Sequence, residues 1–152
     1  MSDPTRVVFS TSAYCYHDGA ILLVQHKLHG WVPPGGEVEV NETPRQAVVR
    51  ELHEELGWRL DEHYQFGLAN NLTCGPSEIL DYDEHPAGPK GLHCNFSFLV
   101  AAATRVIRPC DKFAGYGWFT PNTIVQSLKN NGVHLARVFG LFGSAGGSAH
   151  DR

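Results

Sequence analysis

A short acidic helix that follows a double glycine constrains this chain more than any other stretch. Residues 35–58 read GGEVEVNETPRQAVVRELHEELGW. Thr43 can cap the helix with its hydroxyl, and Pro44 suits the first helical position, where a missing N–H costs nothing. Gly57 is the residue type expected just after a helix end, because a left-handed backbone is least costly without a Cβ. These signals predict a helix from Pro44 to Leu56.

Three glutamates project from one face of the predicted helix. Glu54 and Glu55 follow Glu51 by three and four residues, so a helical turn of about 3.6 residues brings them together. Carboxylates at these spacings repel one another, and no lysine among them offsets the repulsion. A divalent cation would remove it, and an all-oxygen ligand set suits Mg²⁺ and argues against zinc. The alternative, an ordinary solvated acidic face, leaves the repulsion without compensation.

The residues around this helix form a longer pattern with fixed spacing. Its members are Gly36, Glu42, Arg50, Glu51, Leu52, Glu54, Glu55, Gly57 and the apolar Trp58. The pattern resembles, at every fixed position, the signature of the Nudix hydrolases, here called the box (residues 36–58). The chain therefore looks like a MutT-like pyrophosphohydrolase. The resemblance implies the Nudix fold, an α/β structure in which an α/β/α sandwich encloses a mixed β-sheet.

The resemblance also implies a metal site. By that resemblance Glu51, Glu54 and Glu55 bind Mg²⁺ or Mn²⁺, and the carbonyl of Gly35 adds a backbone ligand. The catalytic set implied in the same way is Glu51, Glu54 and Arg50. Elementary chemistry agrees, because a metal ion makes bound water acidic and offsets charge that grows on phosphate oxygens.

Other box residues have structural roles by the same resemblance. Glu42 and Arg50 look like the structural pair of the box, in which the arginine orients Glu51 or its neighbours. Gly36 and Gly57 are the structural glycines, and a Cβ at Gly36 is expected to restrict the backbone that brings the loop to the metal.

The reaction implied is hydrolysis of a phosphoanhydride in a nucleoside diphosphate linked to another moiety. The alternative function is a Nudix domain kept as a nucleotide-sensing or regulatory module without turnover. Box integrity separates the two, since binding-only relatives commonly lose a glutamate and this sequence retains all three. The sequence thus favours the hydrolase, with the substrate left open.

Length and charge limit the remaining possibilities. The chain has 152 residues, a formal net charge of −4 and a pI near 6.1. We expect one domain over residues 1–152, with a mobile small-residue tail at 143–152. The negative charge makes nucleic acid an improbable partner and favours a small nucleotide-type substrate. We expect a monomer or a homodimer.

Cysteine spacing and hydropathy indicate the compartment. No pair of cysteines has metal-ligand spacing, so reduced thiols are the expected state. No apolar run reaches the roughly 18 residues that a membrane span requires, and no apolar core follows a basic start. We therefore predict a cytoplasmic protein that does not enter a membrane.

Turn signals and alternation predict the other elements. The predicted strands are Arg6–Tyr16, Ala20–Gln25, Trp31–Val32, a short one at Trp58–Leu60, one within Tyr64–Thr73, His93–Ala102 and Tyr116–Phe119. The predicted later helices run from Thr120–Pro121 to about Asn130 and from Val133 to Phe142. The acidic, turn-rich segment Glu78–Gly91 is predicted to be a loop.

One expected residue is missing from this sequence. Many Nudix enzymes have a further glutamate shortly before the late Trp-Phe strand, but no glutamate follows Glu84 here. We expect the acidic loop to close over substrate and supply the carboxylate as base or ligand, with Glu78 or Glu84 favoured for reach. Its other acids are Asp81 and Asp83. The alternatives are a solvated loop, with Glu51 as the base.

His93 is the remaining candidate for a substrate contact. It opens a predicted strand directly after the acidic segment. The alternative interpretation is a half-buried histidine with a hydrogen-bond partner.

Overall fold

A mixed β-sheet with the box helix packed on one face forms the described part of the chain. The computed structural model describes residues 6–67, 79–120 and Thr123. The strands are β1 (Val7–His17), β2 (Ala20–His26), β3 (Gly30–Val32), β4 (Gly35–Glu37), β5 (Tyr64–Phe66), β6 (Ile79–Pro86), β7 (Leu92–Ala102) and β8 (Phe113–Phe119). The helix α1 spans Pro44–Leu56, and a 3₁₀ turn spans Gly88–Lys90. None of the helical segments in these ranges is long and apolar enough to cross a membrane.

The central pair of strands sets the topology of the sheet. Strands β1 and β7 are parallel from Val7 opposite Leu92 to Tyr16 opposite Ala101. The main path runs β3-β2-β1-β7-β5, while β4 pairs with β1, β6 with β7 and β8 with β2. All these other pairs are antiparallel. The long parallel pair therefore places β4, which leads into the box, beside the middle of the sheet.

The apolar side of α1 fills the core against this sheet. Val48, Leu52 and Leu56 are buried on the helix. They belong to one cluster with the sheet residues Ala13, Cys15, Leu22, Val24, Phe98 and Val100. Burial of a large apolar side chain stabilises the fold by about 1.5–3 kcal/mol. This packing also holds the adjoining acidic side of the helix near β4, where the Gly35 amide donates to Glu55.

The predicted limits of the helix are confirmed. The amide of Gln46 donates to the Thr43 hydroxyl over 3.1 Å, and the Thr43 amide donates back to the Gln46 side chain over 2.9 Å. Gly57 ends the helix with φ of 73°, and its amide donates to the carbonyl of His53. These capping contacts are local, which is why the sequence shows them directly.

The prediction of a loop over Glu78–Gly91 is wrong for most of that segment. Residues Ile79–Pro86 form β6, antiparallel to β7, and the 3₁₀ turn Gly88–Lys90 follows. Among the described residues β6 pairs with β7 alone. Exposed charges are the usual protection of such an edge strand against unwanted pairing. The acidic composition that favoured a loop is therefore equally typical of an edge strand.

Two further differences concern strands. The strand predicted at Trp58–Leu60 is absent from the described structure, where Leu60 forms one isolated bridge with Tyr64. The Trp58 side chain is buried instead and donates to the carbonyl of Val106. Strand β8 begins at Phe113, three residues before the predicted start. The predicted helices after Pro121, the tail at 143–152 and Glu78 lie outside the described residues, apart from helical Thr123.

Candidate active site

The double glycine pairs with β1, and Gly35 approaches that strand too closely for a side chain. Gly36 is opposite Thr11 in the β1–β4 pair, and the Thr11 hydroxyl donates to the Gly36 carbonyl over 3.1 Å. Gly35 has φ of 153°, and a Cβ there would overlap the carbonyl oxygen of Thr11. The left-handed backbone thus belongs to Gly35, where only glycine fits.

Gly36 is required for a different reason from the one predicted. Its φ is ordinary, but an added Cβ would lie 2.5 Å from Oε1 and 2.7 Å from the carboxyl carbon of Glu51. The missing side chain of Gly36 therefore makes room for the Glu51 carboxylate, rather than permitting an unusual turn.

The three glutamates of α1 occupy two different environments. Glu51 and Glu55 are buried, with 7% and 4% of their surface exposed. The side chain of Glu54 is 54% exposed. The amide of Gly35 donates to Oε1 of Glu55 over 2.9 Å, which joins the helix to β4. The carboxylates of Glu51 and Glu55 are thus buried near the backbone of β4, and the carboxylate of Glu54 beside them is open to solvent.

Arg50 connects these carboxylates through its guanidinium. Nε and Nη2 donate to the two oxygens of Glu42 over 2.8 and 3.0 Å. Nη1 donates to Glu51 over 2.8 Å and to Glu54 over 3.2 Å. Nη2 also donates to the carbonyl of Glu37 over 3.0 Å. A two-pronged contact of this kind fixes the plane of the guanidinium, so Glu42 orients Arg50 and Arg50 orients Glu51.

Burial governs the charge state of the pair. It raises the pKa of Glu55 to about 7, against the opposing hydrogen bond from Gly35 and the charge of Lys112. Burial also raises the pKa of Glu51, although Arg50 and Lys112 oppose that rise. The Arg50 guanidinium lowers the pKa of Glu42. The site therefore holds carboxylates whose ionised forms need a nearby cation.

The donor chemistry of these residues suits a hard divalent cation, because every candidate ligand atom is oxygen. Among residues 6–67, 79–120 and 123, however, no three His, Cys, Asp or Glu side chains form a metal-binding group. Nη1 of Arg50 lies between Glu51 and Glu54 instead. The chemistry fits a metal, while the described arrangement is one in which arginine supplies the positive charge.

The acids of β6 are held within the sheet. Glu84 accepts a hydrogen bond from the Tyr82 hydroxyl over 2.9 Å, and Asp83 pairs with Nδ1 of His85 over 2.8 Å. Asp81 lies opposite Ser97 of β7. Residues 79–86 therefore form a paired strand and not the predicted loop. The hypothesis that this segment closes over substrate stays a prediction. A role for Glu84 as base or ligand stays a prediction.

His93 lies in β7, and its side chain is 17% exposed. Its Nε2 atom is buried and has no hydrogen-bond partner, and the nearest carboxylate oxygen, on Glu37, is 4.0 Å away. Burial lowers the pKa of His93, and the neighbouring charge of His85 acts in the same direction. The ring is half-buried, as the alternative interpretation predicted, but it lacks the expected partner.

Sequence reasoning missed Thr11 and Lys112. Thr11 supports the Gly36 carbonyl from a strand 25 residues away, and nothing near it in the sequence marks that contact. Lys112 acts electrostatically on both buried glutamates. Lys112 lies in the segment before Trp118-Phe119, where the expected glutamate is missing. A basic residue in that segment was the available signal of a charge near the site.

Comparisons with known proteins show which family this chain resembles. A family model described as NUDIX domain matches residues 8–139. A MutT-like protein of Streptomyces ambofaciens is 35% identical over 95% of this chain and 82% of that protein. A CTP pyrophosphohydrolase of Escherichia coli (strain K12) is 42% identical over 70% of this chain and 99% of that protein.

A solved structure extends the comparison to the fold. The crystal structure of a NUDIX-family hydrolase from Clostridium perfringens aligns with a TM-score of 0.69 at 19% identity, over 88% of this chain and 97% of that one. The predicted α/β Nudix fold is confirmed. The prediction of a hydrolase that acts on phosphoanhydrides is confirmed by the family match and the named pyrophosphohydrolase relative. From its box, its fold and these similarities, this chain belongs to the Nudix family.

Proposed function

We propose that this protein hydrolyses a phosphoanhydride of a nucleoside diphosphate linked to another group, in a reaction that depends on Mg²⁺ or Mn²⁺. The observation that carries the metal dependence is the burial of Glu51 and Glu55 beside the backbone of β4. Two buried carboxylates so close together are costly when ionised unless a cation joins them. In the overall reaction water adds to phosphorus, one P–O bond of the anhydride breaks, and two phosphate products leave.

In this proposal the box residues bind the metal and position one another. Glu51, Glu54 and Glu55 hold the ion, with the Gly35 carbonyl as a further candidate ligand. The ion supplies Lewis acidity and lowers the pKa of water. Arg50 keeps Glu51 in position, and the exposed side of the site, at Glu54, is where substrate enters.

The base that takes the proton from water is proposed to be Glu51. Its carboxylate is buried and is held in place by Arg50, and a base needs such a fixed position for proton transfer. Glu84 is the rival candidate, but its carboxylate already accepts from Tyr82 within a paired strand. Comparison of Glu51→Gln with Glu84→Gln at saturating metal, with the metal affinity of each variant measured, decides between them. Loss of the base should change the pH dependence of kcat, whereas loss of a ligand should weaken metal binding.

The substrate panel begins with nucleoside triphosphates. Their terminal phosphate makes each one a nucleoside diphosphate linked to a further group, and the relative from Escherichia coli is named for CTP. Dinucleoside polyphosphates and nucleoside diphosphate sugars follow. A 5′-triphosphorylated RNA oligonucleotide tests the expectation, based on the net charge of −4, that nucleic acid is a poor substrate.

The experiment measures nucleoside monophosphate by chromatography after incubation with Mg²⁺, with Mn²⁺ and with chelator. We expect release from at least one class and none with chelator. Glu54→Gln is the inactive control. It removes a proposed metal ligand and should lose turnover, but because the Glu54 side chain is exposed the substitution should leave the core unchanged. Equal turnover by the wild type with and without metal would sink the proposal.

A nucleotide-sensing module without turnover is the second candidate. Its supporting observation is that Arg50 spans Glu51 and Glu54 in the described structure, so the carboxylates are satisfied without a metal. Calorimetry separates the two functions, since a sensor would bind nucleotide tightly and release no product from any member of the panel. Oligomeric state and cytoplasmic location remain predictions from the sequence.

A further inference from the structure

The turn before β8 is attached directly to the end of the box helix. The amide of Cys110 donates to the carbonyl of Glu55 over 3.1 Å, and the amide of Phe113 closes the turn onto Cys110 over 3.3 Å. Phe113 is buried in the core under α1, which anchors the far side of the turn. Lys112 lies within this turn and is exposed. Backbone contacts therefore keep an exposed lysine beside the last turn of the acidic helix.

The charge of Lys112 acts on the buried pair. Burial is the largest influence on Glu51 and Glu55 and raises the pKa of each carboxyl, and Lys112 opposes both rises. The same charge acts on His26, whose ring lies near Phe113. Lys112 is the smallest of these influences on Glu51 and the second smallest on Glu55, so its placement rests on the backbone contact between the turn and Glu55.

Lys112 differs from the other cation at the site in what it contacts. Arg50 is shared among Glu39, Glu42, Glu51 and Glu54. Within the described ranges, the ammonium of Lys112 has no hydrogen bond and no ion pair closer than 4.0 Å, although its carbonyl accepts from the amide of Lys27. Arg50 is occupied by carboxylates, whereas Lys112 has its donors free for an anion that enters the site.

We propose that Lys112 binds a phosphate group of the substrate, next to the metal held by the box glutamates. The inference rests on the proposed function and names a residue that the box does not contain. A lysine ammonium is a compact charge on a flexible stem, which suits a phosphate whose position changes during reaction. Lys112 thus binds the substrate phosphate from the turn before β8 and offsets the negative charge of that phosphate, which the glutamates would otherwise repel.

The test compares Lys112→Ala and Lys112→Arg with the wild type, and Lys27→Ala is the matched control. Lys27 is in contact with the backbone of the same turn but is absent from the charges that act on Glu51 and Glu55. We expect Lys112→Ala to raise KM about tenfold, which corresponds to about 1.4 kcal/mol. Lys112→Arg should recover part of the loss, and Lys27→Ala should stay within about twofold of the wild type.

Binding supplies a readout that does not depend on turnover. Calorimetry with Mn²⁺ alone and then with magnesium pyrophosphate measures the two ligands separately. Lys112→Ala should bind pyrophosphate about tenfold more weakly. It should bind Mn²⁺ as tightly as the wild type or more tightly, because loss of a neighbouring cation favours a metal ion at the carboxylates. A residue that only supported the fold would weaken both ligands together.

Three results would overturn the inference. They are an unchanged pyrophosphate affinity in Lys112→Ala, a parallel loss of Mn²⁺ and pyrophosphate affinity, and an equal effect of Lys27→Ala. If the wild type turns over substrate and Lys112→Ala matches it in KM, the proposed function stands and the role of Lys112 fails. If the wild type hydrolyses nothing, the proposed function fails, and the pyrophosphate comparison still decides whether Lys112 binds phosphate.

Discussion

Glu55→Gln should stabilise the metal-free protein at neutral and alkaline pH. The carboxylate is 4% exposed and its pKa rises from 4.5 to about 7 through burial, the largest cause. Each pKa unit is worth about 1.4 kcal/mol, so ionised Glu55 costs the folded state roughly 3 kcal/mol. Glutamine keeps the size of the side chain and can still accept from the Gly35 amide, while it removes the buried charge.

The pH dependence follows from proton binding in the two states. Between about pH 4.5 and 7 the folded protein keeps a proton on Glu55 that the unfolded chain has lost. The free energy of unfolding of the wild type therefore falls as pH rises through this window, and it levels off above about pH 7. The two proteins should be equally stable near pH 4.5 and should differ by up to about 3 kcal/mol near pH 8.

Urea denaturation with chelator, at about pH 4.5 and pH 8, measures this difference. Comparison of variant with wild type cancels the titrating groups that do not interact with Glu55, whereas Glu51, whose charge raises the pKa of Glu55, contributes to the measured difference. Glu54→Gln serves as control and should change the free energy of unfolding by less than about 0.5 kcal/mol, because Glu54 is exposed. Mg²⁺ should stabilise the wild type near pH 8 more than it stabilises Glu55→Gln. If the difference between the two is the same at both pH values, the reasoning from burial is refuted.

Three substitutions test the rest of the site. Glu54→Gln should lower kcat by several orders of magnitude with little change in unfolding free energy, as steady-state kinetics and urea denaturation can show. Gly36→Ala should lower kcat on the order of a hundredfold, because its Cβ would displace the Glu51 carboxylate, and near-normal kcat would contradict the contact. Gly35→Ala should instead lower the free energy of unfolding by about 3 kcal/mol or more, since its Cβ meets the backbone of Thr11, and an unchanged melting temperature would count against that overlap.

Local signals explain why the box helix could be predicted residue by residue. The cap at Thr43, the stop at Gly57 and the spacing of the three glutamates all involve residues within about one turn of each other. Such contacts depend on near neighbours in the chain, so the sequence contains them in full. The acidic segment shows the limit of this approach, because charge and turn residues describe an edge strand as well as a loop.

The sequence by itself thus determined the helix, its acidic face and membership of the family signature. Only the tertiary structure decided that Glu51 and Glu55 are buried while Glu54 is exposed. It also decided that Gly36 makes room for a carboxylate and that Lys112 lies beside the helix end. The physical reason is that these properties depend on contacts between strands and turns far apart in the chain. Spacing along a helix places carboxylates on one face, but the packing of that face sets their charge and their neighbours.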